Sequence, residues 1–417
     1  MLPISMCLML LLASVLANPG VNLKFSEEEL QRYFAVDSEE KAPEYEIIYP
    51  EYVTMEHKRH VGRSAVATSY LEVHVDTFGE TLRMALEHDD SGFMPGLEAE
   101  YVSDEGTITV PVRTDCLYTG QVIGDSNSLV SVSACAGLMA VVNHASGPTY
   151  IEPLDDEHAL KRDIGRGLPH FAYRVKPNQD RGRCGVKDDL THFDVINESG
   201  QEVDDQAGDF DPQATKYLEL GLIGDPVLYD LRGGNTHTCI TALFNAAKNV
   251  LQLGSLSGAS LVPKVTHIKV MTSSQSGLNT CPDSEQSLNK ASDWQAANNF
   301  GASDSRRWDN AAILTGWVMD SGDTLGVAWR SNTQILCDER DATSLSTFRD
   351  LRTTDTLAHE IGHNLSMRHD GVGNSCPTSG YIMAANANSA KSDPVWSTCS
   401  RSYYTSHIGA ATCYDDA

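Results

Sequence analysis

The sequence predicts an α/β layer fold for its second half, preceded by a β-rich region. Three features carry that prediction. Short apolar runs of alternating period fill the first half, and strand-like and helix-like periodicities alternate after Thr215. Between them lies Glu198–Gln213 (ESGQEVDDQAGDFDPQ), acidic and nearly free of large apolar side chains, which reads as an exposed linker. In the first half, Tyr70–Val75, Gly106–Val112, Leu129–Val132 and Leu138–Val142 read as strands. In the second, Tyr217–Ile223, Val265–Met271 and Asn310–Leu314 read as strands, and Gly326–Leu336 as extended. Cys239–Leu253, with Ile240, Leu243, Phe244, Ala247, Val250 and Leu251 on one side, is helical, as are Leu288–Phe300 and Thr354–Leu365. No internal repeat is present.

The ends and the charge set the context. Met1–Ala17 has the apolar length and the small-residue terminus (Val15-Leu16-Ala17) of a signal peptide, although its start lacks Lys and Arg. No later run approaches the roughly 20 apolar residues of a transmembrane helix, so a secreted chain without a membrane anchor is expected. Residues 213–417 carry 20 Asp and Glu against 15 Lys and Arg, and the rest of the chain 37 against 16. Acidity concentrated in the N-terminal half argues against a nucleic-acid partner and reads as a solvated surface. The chain is expected to be a monomer.

Ten cysteines in a secreted chain read first as disulfides. Cys7 falls in the leader, Cys116 and Cys135 make a natural pair, and Cys239, Cys281, Cys337, Cys376, Cys399 and Cys413 form an even set. Cys184 stands alone between the two groups.

The chemistry concentrates in Thr356–Asp370, TLAHEIGHNLSMRHD. On a helix His359 and His363 lie one above the other, a spacing at which two imidazoles grip one tetrahedral Zn²⁺. Glu360 is one step round, within reach of a metal-held water without being a ligand. Leu357, Ile361 and Leu365 supply the apolar stripe that anchors the helix. Beyond the helix the chain must fold back to bring His369 in as third ligand, leaving a fourth position open. The bland alternative is three surface histidines on a structural helix.

This motif resembles the metzincin pattern HExxHxxGxxH, and Asp370 directly after the third histidine resembles the adamalysin (reprolysin) branch of zinc metalloproteinases. Cys376–Ala385 (CPTSGYIMAA) is similar to a Met-turn, with Met383 beneath the zinc site. Lys216–Asp225, Trp308–Thr315 and Val395–Cys399 extend the likeness. The resemblance implies a metzincin domain over 208–417: a mixed, mostly parallel twisted sheet with an antiparallel edge strand, an active-site helix and the Met-turn. It implies a structural Ca²⁺ held by Glu219, Asp309, Cys413 and Asp416, an oxygen set that suits that ion. It also pairs Cys337 with Cys413 and Cys376 with Cys399, which leaves Cys239 with Cys281 by elimination. The sequence ends four residues after Cys413, so no further cysteine-rich adhesion module is expected.

Ser366 departs from the pattern, standing where the family has Gly. A left-handed turn there costs a non-Gly residue roughly 1–2 kcal/mol, which a fold held by metal and disulfides tolerates. The change creates the sequon Asn364-Leu365-Ser366 inside the active-site helix, where a glycan is not expected; Asn197-Glu198-Ser199 in the linker is the better acceptor.

Arg183–Val186 (RCGV) resembles the cysteine switch of such precursors, and Cys116–Gly120, Ser133–Leu138 and Thr149–Leu154 resemble their propeptide. Residues 18–207 then form the propeptide domain, an inhibitor of its own enzyme, with the Cys184 thiolate taking zinc's fourth position. An intermolecular disulfide or an unpaired buried thiol is the alternative for Cys184. Between Cys184 and Thr215 the only basic residue is Lys187, so convertase cleavage is not expected and autolysis or another protease in the linker is. The implied reaction is hydrolysis of internal bonds of protein or peptide substrates, with Glu360 as general base and the substrate added as a strand along Gly326–Trp329. The rivals are a binding protein with a structural zinc, and a HExxH peptidase of another clan using a distant Glu.

Overall fold

A computed structural model describes residues 24–53, 69–160, 167–175, 182–186, 215–256, 260–274, 277–330, 335, 337–386 and 394–415. The leader 1–17, Asn197, the linker 198–213 and Asp416 lie outside these residues.

The first half supplies strands β1 (Glu44–Ile48), β2 (Glu51–Val53), β3 (Tyr70–Thr77), β4 (Glu80–His88), β5 (Glu98–Ser103), β6 (Gly106–Pro111), β7 (Leu117–Val122), β8 (Leu129–Ser133), β9 (Met139–Asn143), β10 (Thr149–Pro153), β11 (His170–Arg174) and β12 (Arg183–Cys184). Nine of them form an antiparallel sheet in the order β1-β11-β10-β9-β8-β7-β4-β3-β2. Helices α1 (Glu27–Phe34) and α2 (Asp156–Leu160) accompany this sheet. α1 opens with a capping box: Ser26 Oγ accepts from the Glu29 N–H, and the Glu29 carboxylate accepts from the Ser26 N–H. Cys116 and Cys135 are bridged at a Cα separation of 5.2 Å.

The second half adds β13 (Thr215–Gly224), β14 (Ser260–Met271), β15 (Asn310–Thr315), β16 (Thr324–Ala328) and β17 (Thr343–Thr347). Its helices are α3 (Pro226–Arg232), α4 (Thr236–Leu251), α5 (Ser284–Asn298), α6 (Thr353–Asn364) and α7 (Thr398–His407). Strands β14, β13, β15 and β17 run parallel, and β16 runs antiparallel beside β17. This sheet has eight strands, because β12 joins it beyond β16 while β5 and β6 join it beyond β14. The run Gly106–Val112 therefore belongs with the second sheet, and the first half grips that sheet at both edges.

Side-chain alternation divides the core. Leu220, Leu222, Ala312 and Leu314 face α4 and α6, while Ile223, Ala311, Ile313 and Leu345 face Leu288, Ala291 and Trp294 of α5. α4 is buried almost all round because it is covered on two sides. The nine-stranded sheet lies across it: the Asn245 side-chain amide donates to the Tyr118 and Val132 carbonyls, and the buried Lys248 ammonium meets Asp89 at 2.6 Å.

The two second-half bridges implied by resemblance are formed, Cys337–Cys413 and Cys376–Cys399. The pairing left by elimination is corrected: Cys239 and Cys281 are both free thiols. Cys239 lies on α4, buried on one face of the sheet, whereas Cys281 sits ahead of α5 on the other, its N–H donating to Ser287 Oγ. The sheet stands between them. An even count of cysteines carries no information about which side of a sheet each occupies.

Candidate metal centre

α6 places His359, Glu360 and His363 in the interior, all three buried. The helix then ends in a way that explains His369. Leu365 is the C-cap, and Ser366 takes φ 70°, the left-handed conformation. The Ser366 N–H donates to the His363 carbonyl at 2.9 Å and the Met367 N–H to the Gly362 carbonyl at 3.0 Å. These two bonds are the Schellman closure, made here by serine rather than glycine. The reversed chain carries His369 back over the end of α6.

The three Nε2 atoms converge, 3.1 Å apart for His359–His363 and 3.2 Å for the pairs with His369. Two of the tautomers are fixed by the chain. His359 Nδ1 lies 2.6 Å from the Ile382 carbonyl and His363 Nδ1 2.9 Å from the Met367 carbonyl. A carbonyl only accepts, so each Nδ1 carries the proton and each Nε2 a lone pair. Lone pairs aimed at one point within van der Waals distance repel unless a cation sits between them. Burial, and then the neighbouring imidazoles, push His363 well below the usual histidine range, which keeps it in the neutral, ligating form.

The fourth corner is a thiol. Cys184 Sγ lies 3.5 Å from His363 Nε2, and all four donor atoms fall within 4.8 Å of one another. A tetrahedral zinc with Zn–N near 2.0–2.1 Å and Zn–S near 2.3 Å requires N–N edges of about 3.3 Å and N–S edges of about 3.6 Å. The donor set fits zinc in type, number and spacing. Among the described residues the other cluster of ligand-type side chains is Asp370, Cys376 and Cys399, and its two cysteines are bridged to each other.

β12 is held from both sides. The Arg183 N–H donates to the Asp323 carbonyl and the Gly185 N–H to Gly326, both at 2.8 Å, while the Cys184 N–H donates to Ala385 at 3.0 Å. The strand runs parallel to β16, so it fills the edge that the sequence assigns to substrate. Glu360 is fully buried, and its Oε2 accepts from the Cys184 thiol at 3.5 Å. Burial pushes its carboxyl up to about 8, with the thiol hydrogen bond pulling the other way.

Beneath the site, Met383 is fully buried, and a Cβ on Gly362 would meet its Sδ at 2.8 Å. The Asp370 N–H donates to the Met383 carbonyl at 2.9 Å, and Asp370 Oδ1 accepts from Ser397 Oγ, the N-cap of α7. The aspartate after the third histidine thus ties the methionine segment to α7. Asn364 is also spoken for. Its amide donates to the Trp329 and Thr343 carbonyls and its oxygen accepts from Asn310, which leaves no nitrogen for a glycan.

The residues assigned to calcium are partly gathered. Glu219 and Asp309 are joined through backbone and side chain, at 2.9 and 3.1 Å, and the turn carrying Cys413 packs on β13. The sequence reading missed the Ile382 and Met367 carbonyls that orient the imidazoles, since every residue type offers a carbonyl. It also missed the reason for Gly326, whose lack of a side chain makes room for Glu360.

Residues 219–400 match the family described as Reprolysin_5, metallo-peptidase family M12. The human protein "A disintegrin and metalloproteinase with thrombospondin motifs 10" is 27% identical over 359 residues, covering 77% of this chain and 32% of its own length. Its human relative with "thrombospondin motifs 6" is 26% identical over 352 residues, covering 72% and 30%. The chain thus spans about a third of the length of these relatives. A solved structure, metalloproteinase-II from Bacteroides fragilis, aligns with a TM-score of 0.43 at 14% identity, over 84% of this chain and 93% of that one.

Proposed function

This chain is a reprolysin-type metalloproteinase of peptidase family M12, and from that premise we propose that it is a secreted zinc endopeptidase made as a latent precursor. The observation that carries the reading is the convergence of three imidazole nitrogens and one thiol on a point beside a buried carboxylate. His359, His363 and His369 would hold the zinc, and Cys184 would be its fourth ligand in the precursor. When bound there, zinc supplies Lewis acidity toward a peptide carbonyl and toward water.

The chain's own residues do the rest. Glu360 holds the proton taken from the attacking water on its carboxylate and delivers it to the departing amine. β16 presents the backbone groups of Gly326 and its neighbours to an extended substrate, as they are presented to β12 in the precursor. Met383 and Gly362 close the floor. Residues 1–17 act as the leader, 18–207 as the inhibitory propeptide and 208–417 as the peptidase, which works as a monomer. Removal of the propeptide follows cleavage within 198–213, and Asn197 carries a glycan. Calcium at Glu219, Asp309, the Cys413 carbonyl and Asp416 is part of the proposal, supported by the pairing of the first two. Among the described residues no helix is long and apolar enough to cross a membrane.

The test is Glu360→Gln in the processed protein. Casein cleavage should fall by about 10²–10⁴-fold, while zinc stays at one per chain by atomic absorption. Turnover retained with zinc bound would overturn the assignment.

A further inference from the structure

The second sheet is covered at two edges by the first half, and only one of them is the metal edge. The other is β14, four strand spacings or roughly 19 Å from β16, where β5 adds in parallel with Ile268 opposite Ala99 and Met271 opposite Val102. The Thr272 N–H and hydroxyl both donate to the Val102 carbonyl at 2.9 Å and close the register. Side chains of β5 enter built receptors on both faces. On one face Glu100 meets His267 at 3.4 Å, Lys269 at 3.5 Å and Arg306 at 3.7 Å, all from the second half. Phe300 floors this cradle, with Lys269 Nζ 5.3 Å and the Arg306 guanidinium 4.1 Å from its ring centre, and Asp304 is bonded to it through Arg306. On the other face Tyr101 packs edge-on against Tyr229 and bonds His237 Nδ1 at 2.7 Å.

We propose that this edge of β14 is a second strand-addition site, taking an extended segment of a partner protein in which a small, an acidic and an aromatic residue follow one another, as residues 99–101 do. Its exposure in the mature protein rests on the proposed loss of the N-terminal half; its chemistry does not. Backbone pairing supplies affinity, and the cationic cradle and the Tyr229–His237 slot supply selectivity. A second processed copy lacks the 98–103 strand, so another protein's segment is the occupant. The site lies on the opposite edge from Glu360 and so holds a partner rather than cutting it.

The experiment uses the full-length chain with Glu100→Lys and Tyr101→Ala, which vacates both receptors without touching the metal centre. The probe is the labelled peptide LEAEYVSD, residues 97–104, followed by fluorescence anisotropy. The variant should bind it saturably, at least tenfold more tightly than the unaltered chain does and tenfold more tightly than it binds the peptide with Lys-Ala in place of Glu-Tyr. Adding Lys269→Glu should reverse the preference between the two peptides. Equal binding of both peptides, or none, overturns the proposal, and a variant that dimerises without peptide assigns the edge to a second copy instead. Should the double variant not be secreted, Glu100→Gln alone serves the same comparison. Casein cleavage by the processed protein, measured separately, reports on the peptidase reading: binding by the variant without that cleavage sinks that reading only, and cleavage without binding sinks this one.

Discussion

Gly326 faces Glu360 so closely that a methyl group there would stand 2.6 Å from the glutamate Cγ and 2.7 Å from its carboxyl carbon. The edge strand and the catalytic helix therefore meet without a side chain between them. Gly326→Ala must push either the carboxylate or β16 aside. A displacement near 1 Å costs about a hundredfold in rate, so casein turnover should drop by that order with zinc content unchanged. Unaltered turnover would show that the carboxylate does not work from the position seen here.

Cys184 contacts the metal centre and Glu360 at once, with Sγ 3.5 Å from both. Cys184→Ala keeps the hydrogen bonds of β12, because they are made by its backbone. The uncleaved variant should therefore gain only part of the processed enzyme's activity, since β12 still covers β16. Full activity would mean that the strand contributes nothing to latency; none would mean that the thiol contributes nothing. A small fluorogenic peptide assayed on the intact chain measures this.

The two halves are also joined by Asp89 and Lys248. Burial raises the Asp89 carboxyl, but the Lys248 and Ser91 hydrogen bonds outweigh it and hold the group at about 2. An acid depressed in the fold adds stability above its unfolded value near 3.9, and that stability is lost as pH falls through the folded value. The Asp89 carboxylate should thus contribute about 2 kcal/mol at neutral pH, fading between roughly pH 5 and pH 2, and burial of the Lys248 ammonium, which lowers that group, offsets part of it. Asp89→Asn strands a buried ammonium and should cost about 3–5 kcal/mol. Adding Lys248→Met should recover most of it. Urea unfolding at pH 7 and pH 3 reads both effects; equal losses for the single and double variants would refute the pairing.

How much of this was readable in advance depends on sequence distance. His359, Glu360 and His363 fall within five residues on one helix, so their geometry follows from helical pitch, and Ser366 stands out because the family it resembles has Gly there. α4 and α5 are visible in apolar periodicity. β17, Thr343–Thr347, went unnoticed because its alternation of Ser and Thr with a single Leu carries little hydrophobic signal, although all five residues are buried. Glu98–Ser103 is equally silent, since its acidic side chains suggest a solvated strand, and its pairing with β14, more than 160 residues away, leaves no local mark. The unformed Cys239–Cys281 bridge has the same origin: pairing is set by which face of the sheet a residue occupies, and that is fixed only when the sheet forms.

Ser366 offers the sharpest test of local strain. Its φ of 70° costs an L-residue about 1–2 kcal/mol. Its hydroxyl is buried without a hydrogen-bond partner among the described residues, which adds a desolvation cost of about 1–3 kcal/mol. Ser366→Gly removes both terms, while the freer unfolded chain gives back roughly 0.4–1 kcal/mol. The first two outweigh the third, so the glycine variant should be more stable by about 1–4 kcal/mol. In a domain of about 200 residues each kcal/mol moves Tm by roughly 2–4 °C, which calorimetry on the metal-free protein would resolve. The Schellman bonds at Gly362 and His363 use backbone atoms alone, so His369 should keep its place and zinc affinity should not fall. A lower Tm in the glycine variant would show that the serine makes a compensating contact and that the turn is not strained.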